Sequence, residues 1–130
     1  AMRLALDDAQ VPPTEISYVN AHATATEQGD IAETQAMYRL FGNRVPVSSV
    51  KGHLGHTLGA CGAIESWFTI EMMRKGWFMP TLNLNNVDDR CGDLDYIMNG
   101  GRELQGEYVM KNNFAFGGVN TSLVFRRWAA

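Results

Sequence analysis

Cysteine is scarce: Cys61 and Cys91 are the only two in 130 residues, and they do not form a CxxC pair. That argues against a disulfide scaffold or a thiol-rich zinc module and for a reducing, cytoplasmic setting. Long apolar runs are missing as well. Nothing approaches the roughly 18 residues of a membrane span, and no basic start with an apolar stretch and small-residue cleavage site opens the chain. No membrane role is expected. Blocks of like charge are absent, with 11 Lys and Arg set against 14 Asp and Glu for a formal charge of -3. A nucleic-acid surface built on phosphate neutralisation is therefore not supported. GxxxxGK[ST], GxGxxG and HExxH are all missing, which removes the usual nucleotide and zinc-hydrolase readings. His53-x-x-His56 with His22 and Glu65 could offer three nitrogens and a carboxylate to zinc, but in no tight ligand motif. Neither a metal nor a cofactor is expected.

What is present is enough apolar material, 45% of residues, for one globular domain or part of one. Met2–Gln10 reads as a helix with no capping residue in front of it, as a helix that has been cut into would look. Val11-Pro12-Pro13-Thr14 breaks it. Ile16–Asn20 is a strand by its β-branched and aromatic residues and runs into the small, polar loop Ala21–Thr26. Asp30–Phe41 is an amphipathic helix closed by Gly42, and Val45–Val50 a second strand. Leu58–Lys75 reads as a buried central helix, with Ala60, Ala63, Ile64, Trp67, Phe68 and Met72 on one broad face and Gly76 at its end. Pro80–Gly92 is loop-like, Leu94–Ile97 a short strand, and residues 108–116 and 121–125 form two strands around Gly117-Gly118. This α, β, α, β, α, β, β order predicts an α/β fold, a mixed sheet flanked by helices that finishes in an antiparallel pair.

His22 and His56 stand in small-residue loops directly after strands, where α/β proteins place ligands. His56 is expected just before the N-terminus of the central helix, where the dipole disfavours an imidazolium, and a neutral imidazole can donate a hydrogen bond to an oxyanion. His53 reads as a surface residue. Glu65, in an apolar helix face, needs a partner such as Lys51 or a loop amide. Asp30 and Glu33 are most simply acidic residues at a helix start. Phe114 and Phe116 beside paired glycines have the look of a movable gate.

Three segments in order resemble one family. They are Val19-Asn-Ala-His22-Ala-Thr24-Ala-Thr26-x-x-x-Asp30, Ser48-Ser-Val-Lys51-x-x-x-Gly55-His56-x-x-Gly-Ala-x-Gly-Ala-x-Glu65, and Asn112-Asn113-Phe114-Ala-Phe116-Gly-Gly-x-Asn120. The chain, over residues 1–130, resembles the C-terminal part of a β-ketoacyl-[acyl-carrier-protein] synthase of the thiolase-like fold. The resemblance implies decarboxylative Claisen condensation without a cofactor, on substrates carried by the phosphopantetheine arm of acyl carrier protein. By the same resemblance His22 and His56 hydrogen-bond the malonyl thioester oxygen, Lys51 supports them, and Glu65 and Asp30 belong to the surrounding network. Thr24 and Thr26 would contact the pantetheine arm, and Phe114 and Phe116 would gate the acyl pocket. The family's nucleophilic cysteine lies in an N-terminal half that this chain does not contain, and neither Cys61 nor Cys91 suits its place. The chain alone is thus expected to be inactive, with acyl carrier protein, the N-terminal half and a second subunit, identical or not, as partners. Ala23, Ala25 and Ala115 stand where the family usually has glycine. A non-catalytic, chain-length-determining partner subunit is the alternative, although a scaffold has no need of an oxyanion site.

Overall fold

The structure, a computed structural model, describes residues 1–128. Along the chain run α1 (Met2–Ala9), β1 (Ile16–Asn20), α2 (Glu27–Phe41), β2 (Pro46–Ser48), α3 (Lys51–Leu54) and α4 (Cys61–Lys75). They are followed by β3 (Trp77–Phe78), β4 (Asp95–Tyr96), β5 (Arg102–Glu103), β6 (Tyr108–Phe114) and β7 (Asn120–Arg126). Five strands form one sheet in the order β4-β2-β1-β6-β7. The β4-β2, β2-β1 and β1-β6 pairs are parallel, and β7 closes the sheet antiparallel to β6. The mixed sheet flanked by helices is as expected. The small β3-β5 pair, two residues a side, is not foreshadowed by the sequence, since so short a run carries no period.

Strand alternation splits the core in two. Val19 of β1 and Met110 of β6 pack with Met2 and Leu6 of α1 and Met37 and Phe41 of α2. Tyr18 and Val109, one residue earlier on each strand, pack on the other face with Met72 and Met73 of α4 and with Phe78. Helix α2 starts at Glu27, earlier than the expected Asp30, and ends as expected at Gly42, where the chain takes φ +65°. Gly76, at φ +67°, ends α4 by turning its N–H back to the carbonyls of Met72 and Met73.

Helix α4 corrects one expectation. It begins at Cys61, after a 3-10 turn at Leu58–Ala60, and it is buried on one face only. The buried face shares Met72 with the expected stripe, and Phe68 packs partly against the core, but Cys61, Glu65, Thr69 and Met73 also point inward while Ala63 is exposed and Trp67 is 58% exposed. The physical reason lies beneath it, where Asn20 and Lys111 project from β1 and β6 and require polar partners.

Candidate active site

Three parallel strands release the chain on the same side of the sheet. His22 follows β1, Lys51 follows β2, and Asn113 and Phe114 end β6. Asn20 anchors the first of these departures by donating from Nδ2 to Thr69 Oγ1 of α4 at 2.8 Å. The loop behind it is fixed from α2. Glu33, 5% exposed, accepts the backbone N–H of His22 on one carboxylate oxygen and that of Ala23 on the other, each at 2.8 Å. Burial pushes the Glu33 pKa up, and the two amides and Lys111 only partly offset it. Ala23 and Ala25 sit at φ +32° and +59°. This is the region that favours glycine, and it costs alanine about 1–2 kcal/mol. The loop therefore keeps a glycine-like course without glycine, whereas Ala115 lies at φ -103° and its methyl adds no such strain. Asp30 lies against the backbone amides of Ala25, Thr26 and Thr24, and burial outweighs their pull to raise its pKa. Thr24 and Thr26 share a hydroxyl hydrogen bond of 2.9 Å on the exposed side of the loop.

Hydrogen-bond partners set the tautomers of the histidines. His22 Nδ1 lies 3.3 Å from Lys51 Nζ and 3.5 Å from Asn113 Nδ2, both donors, so Nδ1 accepts and the ring proton sits on Nε2. Burial first, then the charges of Lys51 and Lys111, push the His22 pKa down to about 4. His56 is exposed and accepts the Leu58 N–H on Nδ1 at 3.2 Å, which again leaves the proton on Nε2. That loop amide orients His56 in place of the expected helix dipole. The 3-10 turn separates His56 from α4, and a dipole acts within a helix's first turn. The two rings stand 5.4 Å apart at 88°, and the Phe114 ring is 6.2 Å from His22. A pair of Nε2–H groups at this separation can serve one oxygen about 3 Å from each.

Glu65 has the partner its position demands, and a second one. Lys51 Nζ meets Oε1 at 2.5 Å and Lys111 Nζ meets Oε2 at 2.7 Å, with all three side chains buried. The ligand atoms of His22, Cys61 and Glu65 lie within 4.8 Å of one another. They suit a metal ion poorly, because two ammonium groups already occupy the carboxylate and would repel a dication. His53 stands apart from the cluster, exposed, with Nε2 at 3.0 Å from the Pro80 carbonyl.

Of the two gate candidates, Phe114 lies beside His22, while the Phe116 ring is fully exposed in this chain and is followed by Gly117 and Gly118 at φ +79° and +81°. Cys61, at the start of α4, lies beside the site, with Sγ accepting from Asn113 Nδ2 at 3.3 Å. Glu33, Lys111 and Asn113 were not legible as site residues. A signal existed for Lys111, a lysine inside an apolar strand that needs an acid just as Glu65 needs a base. A cavity of about 320 Å³ opens on the α2 side of the His22 loop, edged by Ala25, Thr26, Asp30, Leu84 and Tyr96, and neither histidine lines it.

Comparison with known proteins bears on the family and the fold. The family described as "Beta-ketoacyl synthase, C-terminal domain" matches residues 1–85. The 3-oxoacyl-[acyl-carrier-protein] synthase 2 of Coxiella burnetii is 41% identical over 129 residues, which is 97% of this chain and 31% of that protein. A crystal structure of a β-ketoacyl synthase from Burkholderia phymatum superposes with a TM-score of 0.97 at 59% identity, over 98% of this chain and 31% of the other. A ketosynthase of a type II PKS, in complex with its acyl-carrier protein and bound to a hexaketide, superposes at 0.92 with 34% identity, over 98% of this chain and 32% of the other. The chain thus spans about a third of the length of the proteins it matches.

Proposed function

The chain belongs to the β-ketoacyl synthase family, and from that premise we propose that it supplies the histidine-bearing part of a 3-oxoacyl-[acyl-carrier-protein] synthase. The reaction is a decarboxylative condensation. A malonyl thioester lies with its carbonyl oxygen between the two imidazoles; its C–C bond breaks, carbon dioxide leaves, and the electron pair is held as an enolate. His22 and His56 each donate an Nε2–H to the oxygen on which that charge develops. The carbanion carbon then attacks an acyl thioester carried on a cysteine from outside this chain. The cysteine thiolate departs, and the elongated 3-oxoacyl group remains on the carrier. Neutral imidazoles suffice, because they stabilise charge without giving up a proton. The observation that carries this reading is the pair of adjacent rings whose Nδ1 atoms are both engaged by donors, so that both Nε2–H groups are free to donate.

Acyl carrier protein is the proposed carrier, supported by the type II ketosynthase that binds one. Thr24 and Thr26 then meet the pantetheine arm, and Phe114 lines the approach to the acyl group. Leu58, Trp67, Phe116 and Val119 leave apolar surface in solvent, which supports association with the N-terminal half of the same enzyme and with a second subunit. Two free thiols are consistent with work in the cytoplasm.

The test is separate rates for acyl loading, malonyl decarboxylation and product formation in the full-length protein. His22→Ala or His56→Ala lowers decarboxylation by about 100-fold or more, the effect of losing one oxyanion donor, while loading persists. The chain by itself, lacking a positioned thiolate, does not condense substrates. An unimpaired double-histidine variant overturns the mechanism.

A further inference from the structure

Lys111 takes no part in the reaction just described, yet it is among the most deeply buried side chains of the molecule, 1% exposed. Strand alternation puts it there: Val109, Lys111 and Asn113 share the β6 face beneath α4. Burying an ammonium is costly unless it is paired and hydrogen-bonded. Both conditions are met, by Glu65 Oε2 at 2.7 Å and by the Asn112 carbonyl. Since an apolar residue would fill that position at no such cost, the charge calls for an account.

The groups that face His22 supply one. Lys51 comes from α3, Glu65 and Cys61 from α4, Lys111 and Asn113 from β6, His56 from the loop before α4, and Glu33 of α2 holds its backbone. Two ammonium groups and two carboxylates balance, provided that His22 carries no charge. Without Lys111, the Oε2 atom of Glu65 loses its counter-charge, and Lys51 is drawn toward both carboxylate oxygens and away from His22 Nδ1, 3.3 Å off. The cluster is then one positive charge short, and His22, with Nδ1 3.3 Å from Lys51 Nζ in the native arrangement, can take up a proton in its place. A proton on Nδ1 turns the acceptor that orients the ring into a donor facing an ammonium.

We propose that Lys111 is a positioning residue: by holding the outer oxygen of Glu65 it leaves Lys51 directed at Nδ1 of His22, and so keeps His22 the neutral tautomer with its proton on Nε2. Its link to condensation rests on the function proposed above; its effect on the imidazole does not. Burial and the Lys51 charge press His22 the same way, so the loss of Lys111 is read as a partial shift.

The experiment is an NMR titration of the His22 imidazole in the full-length protein, with the pH profile of malonyl decarboxylation measured alongside. In Lys111→Met the His22 midpoint rises by about one pH unit or more, the size expected for a charge a few ångströms away, and the acid limb of the profile moves with it. A folded Lys111→Met protein with an unmoved His22 midpoint overturns the proposal. If that variant does not fold, the double variant Glu65→Gln with Lys111→Met removes one charge of each sign. It is expected to hold the wild-type midpoint, and a rise of about a pH unit there overturns the proposal equally. If instead His22→Ala leaves decarboxylation intact, it is the functional reading that falls, and the titration still decides the part played by Lys111.

Discussion

Replacing Glu33 should unseat His22 without touching it. Among the described residues the carboxylate is the acceptor for the buried His22 N–H and the half-buried Ala23 N–H, each bond 2.8 Å long. Hydrogen bonds to a charged group are worth about 1.5–3 kcal/mol each, and a buried donor left unpaired costs about 1–3 kcal/mol. In Glu33→Ala both amides are orphaned. Part of that loss returns, because Ala23 and Ala25 can then relax from positive φ and recover about 1–2 kcal/mol apiece. The net destabilisation is about 1–2 kcal/mol. Glu33→Gln keeps one acceptor but sets its amide nitrogen against the other N–H, so it costs about 1.5–3 kcal/mol with less relaxation. Relaxation is the functionally damaging part. A His22 ring displaced by about 1 Å should lower decarboxylation by about 100-fold. Urea unfolding of the full-length protein measures the first effect, and hydrogen exchange at the His22 and Ala23 amides reports the local one. The reasoning fails if those two amides stay as protected in Glu33→Ala as in the wild type.

Three further outcomes follow from the same geometry. Burial depresses His22 from 6.5 to about 4, so the fold loses stability as the pH falls from 6.5 toward 4, where the unfolded chain takes up a proton that the folded one refuses. Denaturation midpoints over that window should fall more steeply for the wild type than for His22→Gln; equal slopes would refute the assignment. Asp30 and Glu33, whose pKa values are raised, favour the folded state as pH falls, so only the difference between the two proteins isolates His22. Ala25→Gly should be neutral or stabilising by up to about 1 kcal/mol in urea unfolding, because it relieves positive φ, whereas Ala9→Gly in α1 should destabilise by about 1 kcal/mol. His53→Ala should leave decarboxylation within about 2-fold of wild type, since the exposed His53 ring lies against the Pro80 carbonyl and apart from the cluster; a loss near 100-fold would move it into the site.

The elements that were legible share a physical property: their residues meet one environment along a whole face. Ile16–Asn20 is buried almost throughout and reads as a strand, and the sequence from Tyr108 to Phe114 does the same. Helix α4 misled because hydrophobicity alone orients a helix only when its neighbours are apolar. Here Asn20 and Lys111 draw Glu65 and Thr69 inward over the first half of the helix, while Met72 and Met73 meet apolar partners near its end. His22, Lys51 and Glu65 could be found because polar groups in small-residue or apolar surroundings announce a need for partners. Glu33 announced nothing, since an acid near the start of a helix has an ordinary explanation, and its reach to the His22 loop depends on how α2 packs.

The pairing of β6 has a consequence for how such a chain can change over time. Lys111 lies opposite Asn20 on one side and Leu123 on the other, so its orientation belongs to the ladder and not to the side chain. A slip of one residue would present Met110 or Asn112 to Glu65 and turn Lys111 toward Met2 and Glu33 on the opposite face. Insertions and deletions inside this strand are therefore closed to the lineage in a way that most substitutions are not. Changes of length are more easily absorbed in the loop at 82–87, which lies outside the strand ladder that holds Lys111 against Glu65.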